Sequence, residues 1–174
     1  SLLDESPTGR RSDLAEAKRR AEETGRKGEI LLNEFFEKQK NREDIKDFIW
    51  ENKYYETGSP YDFKILKNNK EICYCDAKST LYGFERPIIL SSNEISFINK
   101  HINNYHIYRI YNLRDNARMR VCRALGNFSG RFSEPFKYLQ KFSHNLEVSI
   151  SNCKISLNPL REDIDFSDEL NLVE

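Results

Sequence analysis

Asp76 and Lys78 stand two apart in Ile72-Cys73-Tyr74-Cys75-Asp76-Ala77-Lys78, a run that alternates with period two. A strand places both side chains on one face, with Ile72 and Tyr74. The preceding run Tyr61-Asp62-Phe63-Lys64-Ile65-Leu66 alternates likewise, and Asn68-Asn69 between them supplies turn chemistry. A hairpin turning on Asn69 sets Asp62 directly opposite Asp76. Facing like charges destabilise a bare sheet, so the pair calls for a counter-charge; two hard carboxylates with water suit Mg2+ or Mn2+ rather than zinc. A lysine beside metal-bound carboxylates can orient or deprotonate a water that attacks a phosphodiester, and can offset the charge of the phosphorane.

Glu29 is the fourth candidate. It lies on a helical stripe with Gly25, Leu32 and Phe36, a face expected to turn toward the sheet, where a carboxylate needs a metal, a metal-bound water or a lysine. Gly25 and Gly28 would let that helix approach the strand ends closely. Each residue has a plainer alternative: Asp-x-Lys is common on strands, Asp62 after Ser59-Pro60-Tyr61 suits a turn, and Glu29 suits a helix boundary. Their conjunction, in this order, favours chemistry.

The elements that must position them are legible in part. Ala21, Gly25, Gly28, Leu32, Phe35 and Phe36 recur at spacings of three and four, predicting a helix from Ser12 as N-cap to about Lys40. Thr24-Gly25 and Gly28 leave two abutting helices as the alternative. Asp47 to Tyr55 is ambiguous between a last helical turn and a short strand, and Gly58-Ser59-Pro60 breaks the chain. Ser91-Ser92-Asn93-Glu94 has the form of a capping box opening a helix of about ten residues, which accounts for Glu94 without chemistry. Tyr105 to Asn112 alternates as a strand, and its tyrosines, like Trp50, read as packing residues. A strand near Met119 to Leu125, a helix from Ser133 through Phe142 and an extended Leu146 to Leu157 complete the expectation. His101, His106 and His144 have no metal-ligand spacing with the cysteines.

The chain has 174 residues, 38% hydrophobic and 32% charged, enough for one domain. No run of 18 apolar residues suggests a membrane span. Four scattered cysteines make no disulfide framework and point to a reducing compartment; Cys73 and Cys75 read as small apolar strand residues. The start without Met reads as a piece of a longer polypeptide. Residues 1–11 are expected to be a flexible linker, 12–160 a single domain, and 161–174 an acidic, frayed tail.

The 28 basic and 28 acidic residues balance, but Glu162, Asp163, Asp165, Asp168, Glu169 and Glu174 gather six acids in the tail and leave the body basic. The surplus collects over Arg10–Lys27 and Arg114–Arg123, the footprint of a polyanion partner. A solvated helix face is the alternative for the first cluster. Arg26, Lys27, Lys64, Arg114, Arg118, Arg120 and Arg123 are the candidate nucleic-acid contacts, and the tail is expected to screen the basic face or mimic phosphate there.

Gly28-Glu29 on a helix, Gly58-Ser59-Pro60-Tyr61-Asp62 and Asp76-Ala77-Lys78-Ser79-Thr80 together resemble the PD-(D/E)XK nuclease superfamily. With Leu90-Ser91-Ser92-Asn93-Glu94 and Tyr105-His106-Ile107-Tyr108-Arg109-Ile110, the span from Gly25 to Leu113 is similar to the NO VEIN carboxy-terminal domain. The resemblance implies an α/β, restriction-endonuclease-like core: a mixed central sheet of about four strands flanked by helices, with extra C-terminal strand and helix elements. It implies Asp62 and Asp76 as metal ligands, Glu29 completing the shell, Lys78 serving the water, Mg2+ or Mn2+ as cofactor, and DNA as substrate. The present D-x-K has Asp where relatives often have Glu. Domains of this type accompany helicase, ATPase or modification modules in restriction and defence proteins, so such a module in the parent chain and a cytoplasmic setting are expected, with a homodimer as a further option. Some relatives only bind, and a catalytically silent nucleic-acid-binding or specificity module is the alternative function.

Overall fold

The computed structural model describes residues 7–40, 42, 44–123, 125, 126, 134, 137, 138, 141, 154–162 and 164–172. Helix α1 (Pro7–Gln39) is continuous, so the expected linker over residues 1–11 gives way to helix from Pro7, and Ser12 lies inside the helix instead of capping it. Proline suits a first helical turn, where its missing N–H leaves no bond unmade. The exposed half is laced by i,i+4 pairs, Arg20 with Glu16, Arg19 with Glu23 and Lys18 with Glu22, which carry it toward Gly25. Arg19, Arg20 and Lys18 are thus exposed and paired within the helix.

The strands are β1 (Ile45–Trp50), β2 (Phe63–Lys67), β3 (Ile72–Ser79), β4 (Ile88–Ser91), β5 (Tyr105–Tyr111), β6 (Arg118–Cys122), β7 (Lys154–Leu157) and β8 (Leu170–Asn171), with helix α2 (Ser92–Lys100) between β4 and β5. Six form one mixed sheet in the order β1-β2-β3-β5-β6-β8, in which only β3 and β5 run parallel. The sheet is larger than the expected four strands because β1 and β8 extend its two edges. β4 and β7 pair separately. The ambiguous segment after residue 47 resolves as edge strand β1 followed by a loop. Of the expected helix from Ser133 through Phe142 only Glu134, Lys137, Tyr138 and Lys141 are described, and these are helical; of the expected extended Leu146 to Leu157, β7 is the described part, and the segment before residue 154 lies outside the described residues.

The hairpin has the anticipated register: Phe63 faces Cys75 and Leu66 faces Ile72. Asp62 N–H donates to the Cys75 carbonyl at 2.9 Å, carrying the ladder one residue further. Period two then divides the sheet into two faces. Leu32 and Phe36 of α1 bury against Phe63, Cys75, Tyr108 and Met119 on one face. Ile95 and Ile98 of α2 bury against Tyr105, Ile107 and Leu90 on the other. Tyr105, Tyr108 and Tyr111 are buried packing residues. No described helix is long and apolar enough to cross a membrane.

Residues 164–172 of the acidic tail are not frayed. Ser167 N–H donates to the Val121 carbonyl at 2.8 Å, Leu170–Asn171 pairs with β6, and Ile164 and Leu172 are buried. Ile164 and Leu172 bury fully and Phe166 and Leu170 partly, at even spacing, while Asp165, Asp168 and Glu169 between them are exposed, so the apolar side chains overrule the acids.

Gly28 fixes the distance of α1 from the sheet: a Cβ there would lie 1.6 Å from Ser79 Oγ and 2.7 Å from Ser79 Cβ. At Gly25 a Cβ would meet nothing within 4 Å, so of the two glycines expected to permit close approach only one does. Gly28→Ala is expected to destabilise the protein by about 1–3 kcal/mol through overpacking. Gly25→Ala is expected to stabilise it by up to about 1 kcal/mol through helix propensity. Urea midpoints of the two variants decide this; shifts of the same sign would show that α1 does not rest on Ser79.

Candidate active site

Three elements converge on the α2 face of the sheet. β3 presents Asp76 and Lys78, the residue preceding β2 presents Asp62, and the first turn of α2 presents Glu94. Lys78 Nζ lies 2.6 Å from Glu94 Oε1 and 2.9 Å from Asp76 Oδ2. Only the Glu94 contact has hydrogen-bonding direction, so Asp76 Oδ2 is a buried acceptor without a hydrogen-bond partner. Asp62 is tightly oriented: Oδ2 accepts the Ala77 N–H at 2.8 Å and Oδ1 accepts Asn52 Nδ2–H at 3.1 Å. Asn52 is itself buried and its Oδ1 accepts from Thr57 N–H and Oγ1–H, tying the 51–59 loop to Asp62.

Burial sets the protonation pattern. It raises Asp62, and it raises Asp76 to about 7, with the Lys78 charge opposing and Asp62 reinforcing. Burial alone would lower Lys78, but the Asp76 and Glu94 carboxylates outweigh it and hold the ammonium charged above its ordinary range. Glu94 is raised by burial and then by Asp76, with Lys78 pulling it back.

Glu29 stands beside this group without joining it. Trp50 Nε1–H donates to Glu29 Oε2 at 2.7 Å, and Arg26 Nη1 lies 3.8 Å away. Burial raises its pKa, while the Trp50 hydrogen bond lowers it. Glu29 and Asn52 help line an open cavity of about 720 Å³, which brings solvent to this flank. Trp50 is thus a support for Glu29 as well as a packing residue stacked on Phe63; an indole N–H seeks an acceptor when buried, the one signal the sequence offered.

Among the described residues no three or more His, Cys, Asp or Glu side chains are grouped to hold a metal ion. Two adjacent carboxylates, one with a buried oxygen that has an ion-pair contact to Lys78 but no hydrogen-bond partner, nevertheless fit Mg2+ or Mn2+, which bind through one or two carboxylates and keep several waters. The residues that would hold it are Asp62 and Asp76, with Glu29 outside that pair.

Glu94 is the residue that sequence reasoning set aside. Its capping box is real: Ser91 N–H donates to Oε2 at 2.6 Å, and Glu94 N–H donates to Ser91 Oγ at 3.2 Å. The other carboxylate oxygen is left for Lys78, so one side chain does both tasks. Arg109 was also missed. It is 2% exposed, and its Nη1 and Nη2 donate to the carbonyls of Lys78 at 3.3 Å and Arg86 at 2.7 Å, fastening the loop after β3 to the strand that carries Lys78.

The basic candidates disperse. Arg26 lies over the Trp50 ring and donates to the carbonyls of Asn52 and Lys53, while Lys27 is exposed on α1. Lys64 lines a shallow groove with Phe48 and Ile72, and Arg123 lies near Tyr108 and His106. Arg118 pairs with Glu169 at 3.2 Å, one contact of the kind expected of the tail. Arg114 is exposed against Tyr82, and Arg120 lies over Phe84.

Fold and site together define a mixed α/β protein with a buried acid, lysine and acid cluster beside a second aspartate on one face of its sheet. The chain belongs to the family described as Protein NO VEIN, C-terminal, whose model matches residues 28–122, from the middle of α1 through β6 and more than half of the chain. Neither the comparison with curated proteins nor that with solved structures gave a match.

Proposed function

We propose that this chain is a metal-dependent phosphodiesterase, a DNA endonuclease on a restriction-endonuclease-like PD-(D/E)XK core, serving a larger restriction or defence protein with a helicase, ATPase or modification module. The observation that carries it is Lys78 held between Asp76 and Glu94 with Asp62 alongside. Mg2+ or Mn2+ at the two aspartates would polarise the phosphoryl oxygen and acidify a bound water. Of the two roles open to Lys78, its elevated pKa favours charge over base: it holds the water by donation and offsets negative charge on the phosphate. Glu94 keeps the ammonium pointed, and the Ala77 N–H with Asn52 keeps Asp62 turned toward Asp76. Glu29 contributes negative field. The buried free thiols Cys73, Cys75 and Cys122 suit a reducing, cytoplasmic setting.

Supercoiled plasmid incubated with the protein and Mg2+ or Mn2+ is expected to be nicked or linearised, and Asp62→Asn is expected to remove that cutting. Equal cutting by both proteins would end the nuclease assignment. The second function, a catalytically silent nucleic-acid-binding module, is favoured by Glu29 being engaged by Trp50 and standing outside the aspartate pair. It requires DNA binding that ignores metal and survives Asp62→Asn with Asp76→Asn.

A further inference from the structure

Two loops, the one between β3 and β4 with Tyr82 and Arg86 and the one between β5 and β6 with Arg114, bring together cations that the carboxylate cluster does not use. Arg86 Cζ lies 4.6 Å and Arg114 Cζ 4.8 Å from the centroid of the Tyr82 ring, and Arg114 Nη2 is 3.4 Å from the Tyr82 hydroxyl. Both arginines are exposed, and Tyr82 is 47% exposed. Among the described residues neither guanidinium has a carboxylate within ion-pair distance. The nearest acid of the first loop, Glu85, is folded back over Gly83, where its Oε2 occupies the space a Cβ would need. This distinguishes the pair from the other basic candidates, since Arg118 is matched by Glu169 and Arg26 is occupied by backbone carbonyls.

The first loop is also fixed relative to Lys78. Arg109 joins the Arg86 carbonyl to the Lys78 carbonyl, Thr80 N–H donates to the Ile110 carbonyl at 2.9 Å, and Asn112 N–H donates to the Tyr82 carbonyl at 2.8 Å. A guanidinium resting on an aromatic face has already given up much of its rotamer freedom, while its in-plane N–H donors stay open toward solvent. Two such forks held at one ring, with no carboxylate of the described residues in ion-pair range, keep donors that an anion with paired oxygens can accept from.

We propose that Arg86 and Arg114, seated on Tyr82, form a clamp for the phosphate backbone of nucleic acid and set the strand at the end of β3 that carries Lys78. The clamp names the substrate contact of the proposed nuclease and in that sense rests on it, yet it is tested by binding alone. A fluorescent 20-base-pair DNA duplex is titrated with the full chain in EDTA, by anisotropy, across a range of salt concentrations. Each cation withdrawn from a phosphate reduces the slope of log K against log salt by about 0.9, so Arg86→Ala with Arg114→Ala is expected to flatten it by about 1.8. Affinity at low salt should fall at least tenfold. Tyr82→Leu keeps both charges but removes their seat, and is expected to weaken binding while leaving the slope nearly unchanged.

An unchanged slope and affinity in the double variant overturns the clamp, as does equal, variant-sensitive binding of poly-glutamate, which would mark a general anion patch. Circular dichroism of these exposed-site variants is expected to match the parent; an altered spectrum directs the comparison to Arg86→Gln with Arg114→Gln, judged by the same slope. Metal-dependent cutting without a clamp effect sinks the clamp alone. Clamp-dependent binding without metal-dependent cutting sinks the nuclease alone.

Discussion

Replacing Lys78 with methionine is expected to lower the thermal midpoint by roughly 10 °C at pH 8 and by less than half as much at pH 5. The ammonium is buried between Asp76 and Glu94, and removing one member of a buried ion pair leaves uncompensated charge that costs about 3–5 kcal/mol. For a domain of this size each kcal/mol moves the midpoint by roughly 2–4 °C. The pH dependence follows from the carboxylates left behind. Both are already raised by burial with Lys78 present, and without the cation they rise further. In acid they take up protons and become neutral, so the penalty is present at pH 8 and fades as the pH falls. A midpoint drop that is equal at the two values would show that Lys78 acts through packing and not charge. On the nuclease reading, cutting by the same variant should fall by at least about a hundredfold, the usual cost of removing a donor aimed at developing negative charge. That comparison belongs at a temperature where the variant remains folded.

Asp76→Asn is expected to change the pH dependence of stability in the opposite sense while abolishing the response to metal. The folded pKa of Asp76 is about 7 against an ordinary 3.8. A raised carboxyl contributes stability that is complete below about 4 and lost as the pH climbs through about 7, a contribution on the order of 4 kcal/mol at 1.36 kcal/mol per unit. Asparagine carries no such term, so the variant should gain on the parent steadily from pH 4 to pH 8 in metal-free buffer. The parent's own curve conceals this. His106, buried and lowered to about 4 by burial and the Arg123 charge, loses stability in the reverse sense as the pH falls from 6.5 through 4. The difference between the two proteins cancels His106 and isolates Asp76.

Mn2+ at a hundredfold over its dissociation constant stabilises a binder by about 2.7 kcal/mol. The parent's midpoint should therefore rise by roughly 5–10 °C at pH 8, and by less at pH 6, where protons compete for the carboxylate. Asp76→Asn should move by less than about 1 °C. A variant that still responds like the parent would place the ion elsewhere.

Stability and function are thus opposed at one side chain. The metal-free protein keeps Asp76 buried, with one oxygen lacking a hydrogen-bond partner, at a cost the asparagine variant would escape. Such a cost is expected where a site is built for a ligand.

The hairpin, the D-x-K pair on one face and the capping-box helix are legible because each depends on neighbours in the chain. Period two and an Asn-Asn turn fix a register, and the four residues from Ser91 to Glu94 close their own hydrogen bonds. The ambiguous segment after residue 47 is not legible, since an edge strand with half its residues exposed has a weak pattern. The tail misleads because a count of acids says nothing about Ile164 and Leu172, which bury, or Phe166 and Leu170, which pack partly buried between the acids.

By itself, then, the sequence determined that Asp62, Asp76 and Lys78 would meet on one sheet. Tertiary structure alone decided what surrounds them: Glu94 reaching Lys78 across 16 residues, Trp50 reaching Glu29 across 21, Arg109 reaching the Lys78 carbonyl across 31, and which arginines are left for a ligand. The reason is physical. Alternation and capping are set by a few adjacent dihedral angles, whereas a buried charge takes its protonation state and its partner from whatever side chains the packed sheet brings within a few ångströms.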